Sequence, residues 1–312
     1  MRIVFAGTPE AAVPSLEALH NSPRHEVVAV ITQPDAQRGR GRKISRSAVA
    51  QKAEELDIPL LQPENVSDPE FVQELAALKP DCCPIVAYGQ LLKTNALEVP
   101  KFGWINLHFS LLPLWRGAAP VQWAIRSGDE VTGASTFLLD EGMDTGPIIG
   151  TITETIGSDD TTATLMERLA HHGAKLLVDS LDAIENGVAL PQPQQHNDAT
   201  YTRKISTDDA HIRWNLPAHI VSRQIRSVTP FPGAWTTLDE KRMKIGAVSV
   251  ADQELSEENV IPGQILFTGK KLMVKTADKY LHVKEIQAPG KRMMNAADWA
   301  RGARLTGKEV LQ

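Results

Sequence analysis

Short β-branched runs separated by helix-length segments recur through the first half of this chain, and that rhythm admits few folds. Residues 2–6 read RIVFA and stop at Gly7-Thr8-Pro9, after which 10–21 carries helical spacing. A second apolar run over 26–32 ends at Gln33-Pro34-Asp35, residues 45–56 are alanine-rich with helical spacing, and 58–61 is apolar again. Residues 67–78 look helical, with Ser67 or Asp68 placed as cap. Residues 82–87 fit a buried strand in which Pro84 is awkward, and 103–109 fits another. Strands separated by helices enter a mostly parallel sheet through βαβ crossovers, with helices on both faces. The expectation is an open α/β domain.

The same grammar continues through strands over 132–139 and 148–156, around a glycine-bearing loop, to a long helical pattern over 161–185. Residues 190–209, rich in Pro, Gln, Asn and Asp, read as a surface connector. Beyond it the rhythm changes. A helix over 217–227 and the turn Pro230-Phe231-Pro232-Gly233 precede short strands at 234–238, 243–250, 263–267, 272–275 and 281–286, broken by glycine turns. A small β-barrel or open β-domain accounts for this better than a second parallel sheet. At 312 residues and 34.1 kDa the chain exceeds what one core usually organises. The division expected is a domain over 1–189, a linker over 190–206 and a second domain over 207–312.

Composition excludes several classes. With 42% hydrophobic and 23% charged residues the chain has enough core material not to be disordered. Its two cysteines, adjacent at Cys82 and Cys83, make neither a disulfide framework nor a metal-ligand set, so a reducing compartment is expected. The first residues lack the apolar core of a signal peptide, and no run approaches the roughly 18 apolar residues of a membrane helix, so a soluble, cytoplasmic protein without membrane contact is expected. The net charge of −5 divides unevenly: 17 Lys and Arg against 26 Asp and Glu through Ser206, then 16 against 12. A net +4 in the last third suits a polyanion partner and suits an ordinary solvated surface equally well.

Missing motifs narrow the chemistry further. The first strand ends without G-x-G-x-x-G, and there is no G-x-x-x-x-G-K-[ST], G-x-S-x-G or H-E-x-x-H, which disfavours nicotinamide, nucleotide-hydrolysing, esterase and zincin readings. The informative stretch is GWINLHFSLLPLWRGAAP over 103–120. On a strand of period two, Asn106 and His108 share one face, close to the carboxyl end where α/β sheets build sites. Asp144, in Asp140-Glu141-Gly142-Met143-Asp144-Thr145-Gly146, sits between glycines after the next strand and is placed to reach the same crevice. Taken singly, a strand histidine is more often structural, and Asn or Asp beside glycine is usually turn chemistry. Together, an amide holding a carbonyl oxygen, an imidazole donating to an oxyanion and a carboxylate orienting it form an acyl-transfer set without a nucleophilic side chain. The attacking group would be an amine of the substrate. Arg38-Gly39-Arg40-Gly41-Arg42-Lys43 places four cations on a glycine-interrupted loop, which fits phosphate contact and fits a solvated basic loop.

These residues, with RIVFAGTPE at 2–10, QPDAQRGRGRK at 33–43, VAYGQLL at 86–92, INLHFSLLPLWRGAAPVQ at 105–122 and DEGMDTGPI at 140–148, closely resemble the methionyl-tRNA formyltransferase family over essentially the whole chain. The resemblance implies a Rossmann-like formyltransferase domain followed by an OB-like open β-barrel that contributes tRNA contacts. It implies formyl transfer from 10-formyltetrahydrofolate to the amino group of methionyl initiator tRNA, with no metal, by a monomer. By the same resemblance Asn106, His108 and Asp144 are catalytic; Ser110, Leu111, Leu112 and Pro113 bind folate; and Arg38, Arg40, Arg42 and Lys43 approach the tRNA. The chain departs from the family's pattern at Pro84, at Phe109, which bears on the folate pocket, and at Leu114, which bears on one tRNA contact. Rival readings are a formyltransferase for a small amine such as glycinamide ribonucleotide or an amino sugar, a formyl-folate hydrolase, and an RNA-binding protein that keeps the shape without catalysis.

Overall fold

The computed structural model describes residues 1–38, 43–251 and 260–312. Arg40 and Arg42 lie outside them. In chain order the strands of the first part are β1 (Arg2–Gly7), β2 (Glu26–Ile31), the hairpin β3 (Ala36–Arg38) and β4 (Lys43–Ser45), β5 (Leu60–Leu61), β6 (Cys83–Val86), β7 (Trp104–His108), β8 (Arg116–Gly117), β9 (Val131–Leu138), β10 (Ile148–Thr155) and β11 (Tyr201–Thr202). Seven of them form one sheet in the order β10-β9-β7-β6-β1-β2-β5. The run from β7 to β5 is parallel, and β9 and β10 are antiparallel additions at one edge. The α/β expectation therefore holds.

Local chemistry sets the element boundaries. The first helical segment opens as a 3₁₀ turn, Glu10–Ala12, and continues as α1 (Val13–His20) with Pro14 in its first turn, where a missing N–H costs nothing. The helical pattern over 45–56 is shorter in the structure: β4 takes Ser45, and α2 (Ala48–Glu55) starts only after Ser47, whose hydroxyl accepts from the Ala50 amide. Asp68, the cap of α3 (Pro69–Ala77), accepts from the Glu70 amide. Pro84 sits inside β6, and the ladder to β1 is interrupted there: a bridge at Ile3 and Cys82, then pairing again from Ala6 and Ile85. A residue without an N–H leaves that gap in a central strand. Cys82 and Cys83 are free and buried, and burial pushes the Cys82 thiol up to about 12 and Cys83 well above its ordinary value, so both are core residues. The remaining helices before residue 190 are α4 (Thr94–Leu97), α5 (Pro120–Ser127) and α6 (Thr162–Glu185).

The chain forms two compact units. The first comprises Met1–Pro120, Val131–Thr155 and Met166–Thr202, and the second Val121–Glu130, Ile156–Leu165 and Arg203–Gln312. One face of the first unit's sheet buries Val4, Ala6, Ile31, Ile85 and Trp104 against Phe71 and Leu75 of α3. Residues 190–202, expected as surface connector, group with this unit. β11 pairs with β8, and Gln192 exchanges backbone hydrogen bonds with Ile148.

The second unit holds α7 (Ala218–Ser227), then β12 (Trp235–Leu238), β13 (Lys241–Ile245), β14 (Val248–Val250), β15 (Ile265–Phe267), β16 (Leu272–Lys275), β17 (Tyr280–Val283), β18 (Glu285–Gln287), β19 (Met294–Asn295) and α8 (Ala296–Ala303). The sequence suggests single strands over 243–250 and 281–286, and each is broken in two. The Gly246 amide and the Lys284 amide keep the ladder going across the break, to Glu285 and Ala247, so two four-stranded antiparallel sheets run into one another. Trp214, Val221, Ile225, Ile245, Val274 and Leu281 are among the residues of their shared core.

Leu75 is fully buried, so Leu75→Ala is expected to cost about 2–5 kcal/mol, read as a lowered midpoint in denaturant. In the second unit Asp209 accepts two hydrogen bonds from the Arg203 guanidinium, at 2.6 and 2.7 Å, and two more from Ser206. The Arg203 guanidinium holds its carboxyl well below the usual range. A carboxyl whose folded pKa lies below the unfolded value, about 3.9, stabilises the fold above that value and loses the contribution as pH falls toward the folded one. Tm is therefore expected to fall on acidification below about pH 5, and Asp209→Asn to flatten that limb; a limb of unchanged slope would count against the assignment.

Candidate active site

The alternation along β7 sorts its residues between two faces. Ile105 and Leu107 turn toward one side, where Leu107 lies against Gly173 of α6. Trp104 turns to the other, its indole N–H donating to the Ala96 carbonyl at 2.8 Å, and the period of two places Asn106 and His108 on that same face. The His108 side chain is 9% exposed and Asn106 only partly buried. Among the described residues the Asn106 side chain makes no hydrogen bond, so its amide is available to a ligand.

Antiparallel β9 complicates how Asp144 arrives. His108 pairs with Ser135 near the middle of β9, whereas Leu138 at its end pairs with Ile105, three residues back along β7. The 140–146 loop therefore begins about 10 Å from His108 and must return. Asp140 starts the reversal by accepting from the Gly142 amide at 3.0 Å and the Thr145 hydroxyl at 2.7 Å. A Cβ on Gly146 would stand 1.8 Å from the Leu138 carbonyl oxygen, so only glycine fits where the chain crosses back. Asp144 has φ of 52°, a left-handed conformation that Asp tolerates better than most residues. The carboxylate ends with Oδ2 3.8 Å from His108 Nδ1, and it accepts from the Gly117 amide at 2.7 Å. His108 Nε2 lies 3.0 Å from the Trp115 carbonyl oxygen. With that carbonyl taking Nε2–H, Nδ1 is the ring edge left beside Asp144.

Ser110, Leu111, Leu112 and Pro113 form the loop directly after β7. The Ser135 hydroxyl donates to the Ser110 carbonyl at 2.7 Å and accepts from the Leu112 amide at 3.1 Å, and the Ser110 hydroxyl donates to the Leu114 carbonyl at 2.6 Å. Ser110 is completely buried and Phe109 nearly so, while Leu114 is exposed. Gly117 closes the loop with φ of 101°, and a Cβ there would stand 2.6 Å from the Thr202 carbonyl oxygen. Arg38 and Lys43 pair across the β3–β4 hairpin, away from the sheet's strand order. The structure thus brings Asn106, His108, Asp144 and the 110–113 loop together. Ser135, Arg116, Gln194, Thr200 and Thr202, which fix these loops, carry no motif that marks them in the sequence; only the Trp115-Arg116-Gly117 turn offers a hint.

Among the described residues one group has the composition of a metal site. His25, Asp182 and Glu185 place ligand atoms within 4.8 Å of one another. Cations of the chain already hold its carboxylates: Arg24 reaches Asp182 at 3.1 Å and Glu185 at 2.9 Å, and the Met1 amine reaches Glu185 at 3.0 Å. Burial holds the His25 pKa below its ordinary value. A divalent ion would have to displace those cations, so this is an ion-pair cluster. In the second unit Trp235 stacks on His211 with ring centroids 4.1 Å apart, and the Arg242 guanidinium lies 4.1 Å from the Trp235 ring. No helix among the described residues is long and apolar enough to cross a membrane.

The comparisons with known proteins agree along the length of the chain. Residues 1–181 match the formyl transferase family and residues 204–304 the formyl transferase C-terminal domain. The methionyl-tRNA formyltransferase of Rhodococcus erythropolis is 54% identical over 305 residues, covering 98% of each chain. That of Streptomyces coelicolor is 51% identical over 310 residues, covering 99% of each. Among solved structures, the N-formyltransferase from Helicobacter canadensis in complex with folinic acid and dTDP-3-aminofucose superimposes with a TM-score of 0.67 at 20% identity, over 92% of this chain and 98% of that one, a likeness of fold. With both domains matched, and relatives of this identity spanning nearly every residue, the chain belongs to the formyl transferase family, among the methionyl-tRNA formyltransferases.

Proposed function

We propose that this enzyme transfers the formyl group of 10-formyltetrahydrofolate to the α-amino group of methionine esterified to initiator tRNA, giving N-formylmethionyl-tRNA for translation initiation. The observation that carries this reading is the meeting of His108 and Asp144 at 3.8 Å beside the face that bears Asn106. Among the described residues, the serine and the thiols considered as nucleophiles are engaged or buried. The Ser110 hydroxyl is buried and donates to a carbonyl, and Cys82 and Cys83 are buried thiols. The attacking atom is then the neutral amine of the acceptor.

Attack on the formyl carbon forms a C–N bond and turns the carbonyl into an oxyanion. Asn106 and the doubly protonated His108, which donates Nε2–H to the Trp115 carbonyl and presents Nδ1–H, stabilise that charge, while Asp144 orients the imidazole and balances its positive charge. The amine gives up a proton, N10 of the folate takes one as its C–N bond breaks, and tetrahydrofolate leaves. Ser110, Leu111, Leu112 and Pro113 line the folate side. Arg38, Arg40, Arg42 and Lys43 meet the acceptor arm, and the second domain adds RNA contacts, for which a stacked aromatic and guanidinium surface such as Trp235 with Arg242 is suited. In this reading residues 1–189 with the packed segment 190–202 are catalytic, the link proper is reduced to about 203–206, and 207–312 form the tRNA-binding domain of a cytoplasmic monomer that needs no metal.

Incubation with methionyl initiator tRNA and 10-formyltetrahydrofolate is expected to formylate that acceptor and to leave elongator methionyl-tRNA largely unmodified; equal formylation of the two, or none, would refute the assignment. His108→Ala, if folded, is expected to lower kcat by about 100-fold or more. The pair Arg40→Ala and Arg42→Ala is expected to raise KM for tRNA at unchanged kcat, and to make the logarithmic salt slope of binding shallower by about one for each phosphate that these side chains neutralise.

A further inference from the structure

The segment over 190–202 is anchored along its length to the loops that carry the site. Gln192 exchanges two backbone hydrogen bonds of 2.8 Å with Ile148. The Thr200 hydroxyl accepts from the Trp115 amide at 2.8 Å, and the Thr202 hydroxyl donates to the Ala118 carbonyl at 2.6 Å. Between these points Gln194 is 7% exposed and uses both ends of its amide. Its Oε1 accepts from Arg116 Nε at 3.1 Å and Nη2 at 2.7 Å. Its Nε2 donates to the carbonyl oxygens of Asp144 and Gly146, at 2.9 and 2.7 Å.

Arg116 is completely buried, and among the described residues no carboxylate lies within ion-pair distance of it. Its Nη1 meets His196 Nδ1 and the Tyr201 hydroxyl, each at 3.3 Å. A guanidinium withdrawn from water without a counter-charge is costly, and that cost is tolerated only where its hydrogen bonds are well made. A primary amide is also the one neutral side chain that offers an acceptor to a guanidinium and two N–H groups to a pair of carbonyls at once. Those two carbonyls flank Thr145, and one of them belongs to the left-handed residue whose carboxylate faces His108.

We propose that Gln194, gripped by buried Arg116, is a positioning residue that holds Asp144 against the Gly117 amide and His108. The proposal rests on the functional reading above for its kinetic consequence, but not for its structural one. With the Asp144 and Gly146 carbonyls pinned, the returning loop cannot relax, and the carboxylate is delivered to one place. Without the pins the loop moves by the small displacements that are enough to cost catalysis.

Gln194→Glu separates the two halves of the arrangement, since a carboxylate still serves Arg116 but has no N–H for the carbonyls. The expected result is faster hydrogen exchange at the Gly117 amide, whose acceptor is Asp144, together with a kcat lowered by about 10- to 100-fold, while KM for both substrates stays unchanged. Gly117 exchange equal to wild type overturns the proposal. A kcat loss accompanied by a comparable rise in KM for both substrates also overturns it, because a merely structural role would act that way. Should Gln194→Glu fail to fold, Arg116→Met, which removes the buried charge at similar volume, is expected to speed Gly117 exchange likewise, and protection equal to wild type in that variant overturns the proposal. If the wild-type enzyme forms no formylated product, the functional reading falls, and the exchange measurement still decides the positioning role.

Discussion

The hydrogen bond from the Gly117 amide to Asp144 Oδ2 is the constraint on which the site depends. It ties together two loops that leave different strands, one after β7 and one after β9. A charge-assisted bond of 2.7 Å in a largely buried setting is stronger than its neutral counterparts, and here it sets where the carboxylate sits relative to the imidazole. Its geometry is available only because position 117 is glycine: a side chain would collide with the Thr202 carbonyl oxygen, and with it the strand pairing of β8 and β11.

The sheet explains why such a tie is required. In a fully parallel sheet, loops following neighbouring strands emerge at the same end and meet without assistance. Here β9 runs against β7, so its following loop emerges on the wrong side of His108 and has to fold back across the face bearing Asn106. Gly146, the left-handed Asp144 and the Asp140 cap make the reversal possible, and the segment over 190–202 holds it in place. The antiparallel edge thus has a functional counterpart in the length and composition of one loop.

Much of this is legible in the residues themselves. Period-two alternation puts Asn106 and His108 on one face because strand geometry leaves no other option. The βαβ rhythm implies the sheet, with Ser47 and Asp68 starting helices where their side chains take up free amides. Other features are hidden. Residues 190–209 have the Pro, Gln and Asn content of a solvated connector, yet Gln194 is buried, because its polarity is satisfied by partners 78 and 48 to 50 positions away. The segments over 243–250 and 281–286 have the pattern of continuous strands, since apolar content does not reveal a bend that depends on how two sheets join.

The sequence by itself determined the element types, the two-part organisation and the identity of the chemical groups, because these follow from short-range periodicity, capping and the functional groups that side chains carry. Tertiary structure alone decided the direction of β9, the route by which Asp144 reaches His108, and the burial of Arg116 against the Gln194 amide. Those depend on contacts between residues far apart in the chain, and local patterns of charge and hydrophobicity do not encode which distant hydrogen-bond partner a buried polar group will find.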